Sequence, residues 1–212
     1  MRRDLLTSVT AVVLTTIVFG LVYPLAFTGV AQVLFPGSSN GSKITENGQV
    51  VGSKLIAQDF RKVVPTHASK GPKLERVPDP RYFQPRPSQS NYNPSITFFS
   101  NLGPNQKDTR AAIKSNLDGY LKLEGRYDSG LTAADVPIDA ITQSASGVDP
   151  QISKANAEIQ AHRIAAVRHL SLSQVQSLID DHTDGRFLGV FGEPGVNVLE
   201  LNLALDKEAP TT

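Results

Sequence analysis

Residues 5–27 read LLTSVTAVVLTTIVFGLVYPLAF, and no charged side chain occurs between Asp4 and Lys43. About 20 predominantly apolar residues suffice to cross the hydrocarbon core of a bilayer as a helix. The run is long enough, and it predicts a single transmembrane helix within an N-terminal anchor over residues 1–34. Its Thr and Ser hydroxyls can bond back to carbonyls of the same helix, so they cost little in lipid. Arg2 and Arg3 precede the span and no basic residue follows until Lys43. The positive-inside rule then puts the N-terminus in the cytoplasm and residues 35–212 outside. Phe19, Tyr23 and Phe27 suit the outer part of the span, and Pro24 predicts a kink or an end. A cleaved signal peptide is the competing reading, with Gly29-Val30-Ala31 as the cleavage site before Gln32. Signal h-regions run about 7–15 residues, and this stretch is longer, which favours the uncleaved anchor. Ala11, Thr15, Thr16 and Gly20 put small side chains along the helix, a pattern that suits close packing against partner helices. Simple lipid anchoring is the plainer alternative.

Working outward, the chain has 212 residues, a formal net charge of +1 and no cysteine. That charge supplies no global field for nucleic acid, and no Lys/Arg-rich tract does so locally. The absence of cysteine excludes disulfides, thiolate metal ligands and a Cys nucleophile. The remainder is large enough to fold on its own core.

After the turn-rich stretch FPGSSNGS (35–42), QVVGSKLIAQDF (49–60) predicts a short strand or hairpin, with Gly48 and Gly52 as turn residues. Residues 61–104 are dense in Pro, Ser and Asn and predict a long loop with little regular structure. Tyr82, Phe83, Tyr92, Phe98 and Phe99 give that loop something to bury. A helix is expected from Asn105 as cap, through Ile113, Leu117 and Leu121, to Gly125. A second is expected from Pro150 to about Leu170, capped by Asp149, with Ala157, Ala161, Ile164 and Val167 on its apolar face and Arg163 and Arg168 turned to solvent or a partner. Ser173 and Gln176 predict a capping box for a third helix carrying Val175, Leu178, Ile179 and His182 and ending at Gly185. Beyond a turn at Glu193-Pro194-Gly195, Leu199, Leu201, Leu203 and Leu205 alternate with Glu200, Asn202, Ala204 and Asp206, which predicts a strand. The fold class is therefore α+β: one transmembrane helix followed by a mixed α/β extracytoplasmic domain.

The candidate chemistries are weak. Ser144 and Ser146 lie in QSASGVDPQIS (143–153), but no glycine stands two positions before Ser146, as a nucleophile elbow requires. A turn feeding a helix explains Ser146 and Gly147 better. A membrane-anchored extracytoplasmic serine hydrolase, drawing on His162, His169 or His182, is the rival from another class. His162 and His169 sit two helical turns apart, about 10.5 Å along the axis, too far to share one zinc. DDHTDG (180–185) echoes a calcium loop, but its twelfth position is Phe191, where an EF-hand needs Glu. Gly189, Gly192 and Gly195 precede a predicted strand and no P-loop occurs, so they suit a hairpin. Neither catalytic nor metal-binding residues are assigned, and none for a cofactor.

The order of the motifs is more specific than any one of them. The chain resembles the C subunit of the bacterial Kdp potassium-transporting P-type ATPase. The resemblance rests on YPL (23–25), FPGSSNGS, VGSKLIAQDF (51–60), YFQPRPS (82–88) and SNLGPNQ (100–106). It continues through PIDAITQSASGVDPQIS (137–153), QAHRIAAVR (160–168) and GEPGVNVLELNLALD (192–206). Residues 61–81 are longer than the family's usual segment, and NPSITFF (93–99) replaces a glycine-rich one. The resemblance implies a non-catalytic subunit of an ATP-driven potassium uptake complex in the plasma membrane, partnered by pore-forming and ATP-hydrolysing subunits and by the lipid bilayer. ATP and potassium then act on the complex, with none assigned to this chain. Two roles are implied: raising the ATP affinity of the catalytic subunit as a catalytic chaperone, or supporting assembly and ion entry at the outer face.

Overall fold

The computed structural model describes residues 1–68, 71–96 and 101–210, with the side chains of 67–73 left aside. Phe98 and Phe99 lie outside the described residues. The chain forms two compact units, Met1–Ser53 and Lys54–Thr212.

The first unit opens with an unbroken helical stretch, Arg2–Leu34, long and apolar enough to cross a membrane and with no buried residue. It comprises α1 (Arg2–Ile17), a π-helical turn (Val18–Val22) and α2 (Tyr23–Leu34). Pro24 does not end the helix. A proline removes one donor and crowds the preceding turn. The wider π turn immediately before it absorbs that defect, with the Tyr23 N–H donating to the carbonyl of Val18. Thr15 Oγ1 donates to the carbonyl of Ala11 at 2.8 Å, and Thr7 and Ser8 bond back to Arg3 and Asp4 likewise. A short α3 (Pro36–Ser39) leads into the hairpin of β1 (Lys43–Glu46) and β2 (Gln49–Ser53). Asn47 and Gly48 both have positive φ, 49° and 77°, as the tight turn of a two-residue hairpin requires.

In the second unit the segment expected to be irregular contains a regular hairpin. Strands β3 (Arg61–Ala68) and β4 (Gly71–Pro78) pair antiparallel from Arg61↔Pro78 to Ala68↔Gly71. Pro65, Pro72 and Pro78 sit in a two-stranded ribbon, where each strand has one unpaired edge and proline is tolerated. Composition alone missed this. Helix α4 (Lys107–Glu124) follows Gln106, not Asn105, and after the short α5 (Ile138–Ile141) the chain enters β5 (Gln151–Ile152).

Helix α6 (Lys154–Arg168) begins later than Asp149-Pro150 suggests. Ser153 is its N-cap and accepts from the Asn156 N–H at 3.1 Å, because residues 151–152 are taken by the sheet. Helix α7 (Leu172–Asp181) is capped by a box of Ser171 and Gln174, two residues ahead of the expected pair. It ends at His182, and β6 (Thr183–Asp184) follows where Gly185 was expected to close it.

The tail is the largest correction. Only β7 (Gly195–Asn197) is a strand, placed between β5 and β6, and Val198–Glu208 forms helix α8. Asn197 caps it, accepting from the Glu200 N–H at 3.1 Å. Val198, Leu201, Asn202 and Leu205 share its buried face at helical spacing. Leu, Ala, Glu and Lys are strong helix formers, and once Asn197 caps the chain their propensity outweighs the period-two pattern. Phe83, Ile152, Ala157, Ala161, Ile164, Val175, Ile179, Val196, Val198, Leu201 and Leu205 form the core between α6, α7, α8 and the small sheet.

Candidate functional site

YFQPRPS, one of the motifs that carry the resemblance, lies in an irregular segment, 79–92, that residues of three other such motifs hold. Helix α6 was expected to turn Arg163 and Arg168 outward; both are buried. Their guanidinium groups, with two side-chain amides, satisfy the backbone of a segment that has no strand partner. Arg163 Nη1 donates to the carbonyls of Pro80 and Tyr82 at 2.6 and 2.9 Å. Arg168 Nε donates to the carbonyl of Arg81 at 2.8 Å. Asn202, from α8, takes the Phe83 N–H at 2.8 Å and gives its amide to the Phe83 carbonyl at 2.9 Å. Gln160 does the same for Gln84, at 2.8 and 3.1 Å. Gln84 Nε2 in turn donates to the carbonyls of Phe60, Asp79 and Tyr82. Every carbonyl from Asp79 to Gln84 thus has a side-chain donor, which a buried loop needs as much as a strand does. The arrangement anchors the Phe83 ring in the core.

Arg163 is itself held by Glu124 at the end of α4. Its Nε lies 3.0 Å from both carboxylate oxygens, and both side chains are essentially inaccessible, at 0% and 1%. Burial pushes the Glu124 carboxyl above the usual carboxylate range, against the pull of Arg163. Arg168 pairs with Asp206 at 2.8 Å and stacks over the Tyr82 ring, 4.8 Å from its centroid. Tyr120, raised chiefly by burial, donates to Asn156 Oδ1 at 2.8 Å.

The second half of the segment docks on QSASGVDP. Ser88 Oγ and Ser90 Oγ donate to the Gly147 carbonyl at 2.5 and 3.3 Å, and the Ser144 N–H reaches the carbonyl of Pro87 at 3.3 Å. Arg86 pairs with Asp149 at 3.0 Å. Gly147 has φ +72°, and a Cβ there would lie 2.7 Å from Ser90 Oγ, so both conformation and space demand glycine. Tyr92 donates to the Arg86 carbonyl at 3.0 Å, and its phenol is pushed up to about 12 by burial. Arg61 lies over the Tyr92 ring and joins Asp59, which Arg76 also contacts. Burial alone would raise Asp59, but these hydrogen bonds outweigh it and hold the carboxyl below its ordinary value.

Ser146 is exposed, and its Oγ accepts from the Val148 N–H at 3.2 Å, a local turn. Among the described residues no hydrogen bond joins Ser144 or Ser146 to a histidine, and no group of three His, Asp or Glu side chains is placed to hold a metal. His169 closes α6 in a left-handed conformation, and His182 Nδ1 lies 2.8 Å from the Leu178 carbonyl. Two of the three carboxylates of the calcium-like stretch are engaged separately, Asp180 with Lys154 at 2.6 Å and Asp184 with Gln151 at 2.9 Å. Gly195 is extended within β7, and no turn forms at Glu193-Pro194-Gly195. Its constraint is Gln151, 2.9 Å from where a Cβ would stand. The turn expected there lies earlier, with Gly189 and Gly192 at φ +77° and +82°. Sequence reasoning missed the polar side chains of α6 because hydrophobic periodicity carries no information about them.

A family model described as "KdpC: K+-transporting ATPase, c chain" matches residues 5–207. A Mycobacterium tuberculosis protein, "Potassium-transporting ATPase KdpC subunit", is 42% identical over 98% of this chain and 100% of its own length. Proteins of the same description from Streptomyces avermitilis and Dechloromonas aromatica are 40% and 41% identical. They are covered over 96% and 98% of their lengths and cover 99% and 97% of this chain.

Proposed function

Because this chain belongs to the KdpC family, the c chain of the K+-transporting ATPase, we propose that it serves its complex as a non-catalytic subunit that contributes to assembly. In this reading Arg2–Leu34 crosses the plasma membrane with its N-terminus in the cytoplasm, and the mixed α/β domain stands outside. The observation that carries the reading is the use made of the polar residues. Arg163, Arg168, Gln160 and Asn202 are all spent on fixing the shape of segment 79–84. The serines of QSASGVDP are spent on a turn. A surface of fixed shape suits docking against the pore-forming and ATP-hydrolysing subunits. From outside the membrane, support of ion entry is direct, whereas any gain in ATP affinity has to be transmitted through partner helices.

The test is co-purification of the partner subunits with the tagged chain, alongside potassium-stimulated ATP hydrolysis. Replacing residues 5–34 with an unrelated membrane helix is expected to weaken both, since the small-residue face at Ala11, Thr15 and Gly20 is lost. Full activity with the foreign helix would reduce the span to a tether. Protease added to intact spheroplasts is expected to digest the domain beyond Lys43; protection until lysis would reverse the topology.

A further inference from the structure

Among its described residues the second unit carries a compact apolar projection. Phe187, Leu188, Val190 and Phe191 are 71%, 75%, 67% and 62% exposed. Between Arg186 and Glu193 the chain reads FLGVFG, with no polar side chain. The loop is closed on itself. Phe187 and Phe191 form a β-bridge with N–H···O distances of 2.8 and 2.9 Å, and the N–H groups of Gly189 and Val190 bond to the carbonyls of Arg186 and Phe187. At its base Arg186 pairs with Glu193 at 2.7 Å.

We propose that the loop Phe187–Phe191 inserts shallowly into the lipid surface of the membrane that the N-terminal helix crosses, as a second and reversible anchor. Three observations favour lipid over a protein pocket. The backbone donors of Phe187, Gly189, Val190 and Phe191 are satisfied inside the loop, which lowers the cost of leaving water for a medium that offers no hydrogen bonds. The side chains are Phe, Leu and Val. Phe and Leu are residues of interfacial apolar faces, while protein hot spots are enriched in Trp, Tyr and Arg and poor in Leu and Val. The ion pair Arg186–Glu193 marks a polar boundary at the loop's base, where headgroups would begin. Covalent linkage to a membrane helix supplies the effective concentration that so small a patch requires. The inference rests on the reading of Arg2–Leu34 as a membrane span.

The chain contains no tryptophan, so a single one reports cleanly. The full-length Phe191→Trp protein, reconstituted without partner subunits in phosphatidylcholine/phosphatidylglycerol vesicles, is expected to show blue-shifted emission that brominated acyl chains quench. Ile138→Trp, at another exposed apolar position of the same unit, is expected to stay red-shifted and unquenched. Adding Val190→Asp to Phe191→Trp is expected to abolish the quenching. Flotation after an alkaline carbonate wash separates the two readings. A chain that fails to float has no span, and a Phe191→Trp chain that floats with its indole unquenched has no lipid-inserted loop. Blue-shifted emission seen only once the larger subunits are present would overturn the proposal in favour of a protein interface.

Discussion

The side-chain amide of Gln160 closes both backbone bonds of Gln84, accepting from its N–H at 2.8 Å and donating to its carbonyl at 3.1 Å across 76 positions of sequence. It acts as one rung of a sheet that is not there. Gln160 is 1% exposed, so water cannot replace it. Gln160→Leu is expected to leave both groups unpaired, each at about 1–3 kcal/mol, read as a lower urea midpoint. Gln160→Glu keeps the acceptor but sets a buried carboxylate oxygen against the Gln84 carbonyl and Asn156 Oδ1, so it is expected to lower the midpoint as well. A midpoint unchanged by Gln160→Leu would show that segment 79–84 does not depend on this rung.

Arg163 carries more. Arg163→Met removes the partner of buried Glu124, the side-chain donor to the Pro80 carbonyl and one of the two donors to the Tyr82 carbonyl, which keeps Gln84 Nε2. Breaking a buried pair from one side costs about 3–5 kcal/mol. Adding Glu124→Leu is expected to recover the part due to the stranded carboxylate and not the part due to the carbonyls. Full recovery in the double variant would mean the carbonyl contacts contribute nothing to stability.

Ser146 and Gly147 are neighbours with opposite expectations. Ser146→Ala loses one exposed hydrogen bond to Val148, about 0.5–1.5 kcal/mol at most, and ATPase activity of the complex should stay within a few-fold of normal. Gly147→Val meets Ser90 at 2.7 Å in a backbone conformation that valine resists, and it should release the 88–90 segment. Loss of activity in a folded, assembled Ser146→Ala complex would restore the nucleophile.

Acid should loosen the segment from its other side. Asp59 and Asp79 are held below their ordinary value of 3.8; in each, burial opposes the hydrogen bonds from arginine, Arg61 and Arg76 for Asp59 and Arg81 for Asp79, and the bonds prevail. The unfolded chain therefore takes up these protons more readily. The stabilisation is fully present above 3.8 and fades as pH falls through the lower folded values. Urea midpoints should drop over that window, and Asp59→Asn should flatten the drop. An unaltered slope in Asp59→Asn would remove this carboxylate from the account.

The long apolar helix Arg2–Leu34 was legible because its cause is local. A long run of apolar residues without charge has few fates, and even Pro24 only widened one turn. The apolar face of α6 at Ala157, Ala161 and Ile164 was legible for the same reason, since periodicity reports which face leaves water. Alternation misled at Leu199–Leu205, because leucines at 201 and 205 satisfy a helix as well as a strand. Asn197, capping at the end of β7, decides between them. The cap of α6 moved from Asp149 to Ser153 because residues 151–152 are claimed by a sheet that forms only in three dimensions. The polar frame was out of reach altogether. Whether Arg163 faces water or Glu124, and whether Gln160 meets solvent or the backbone of Gln84, is set by what packs against α6 from 39 to 83 positions away. A sequence pattern records which side chains avoid water, and only the assembled tertiary structure determines which buried polar groups find each other.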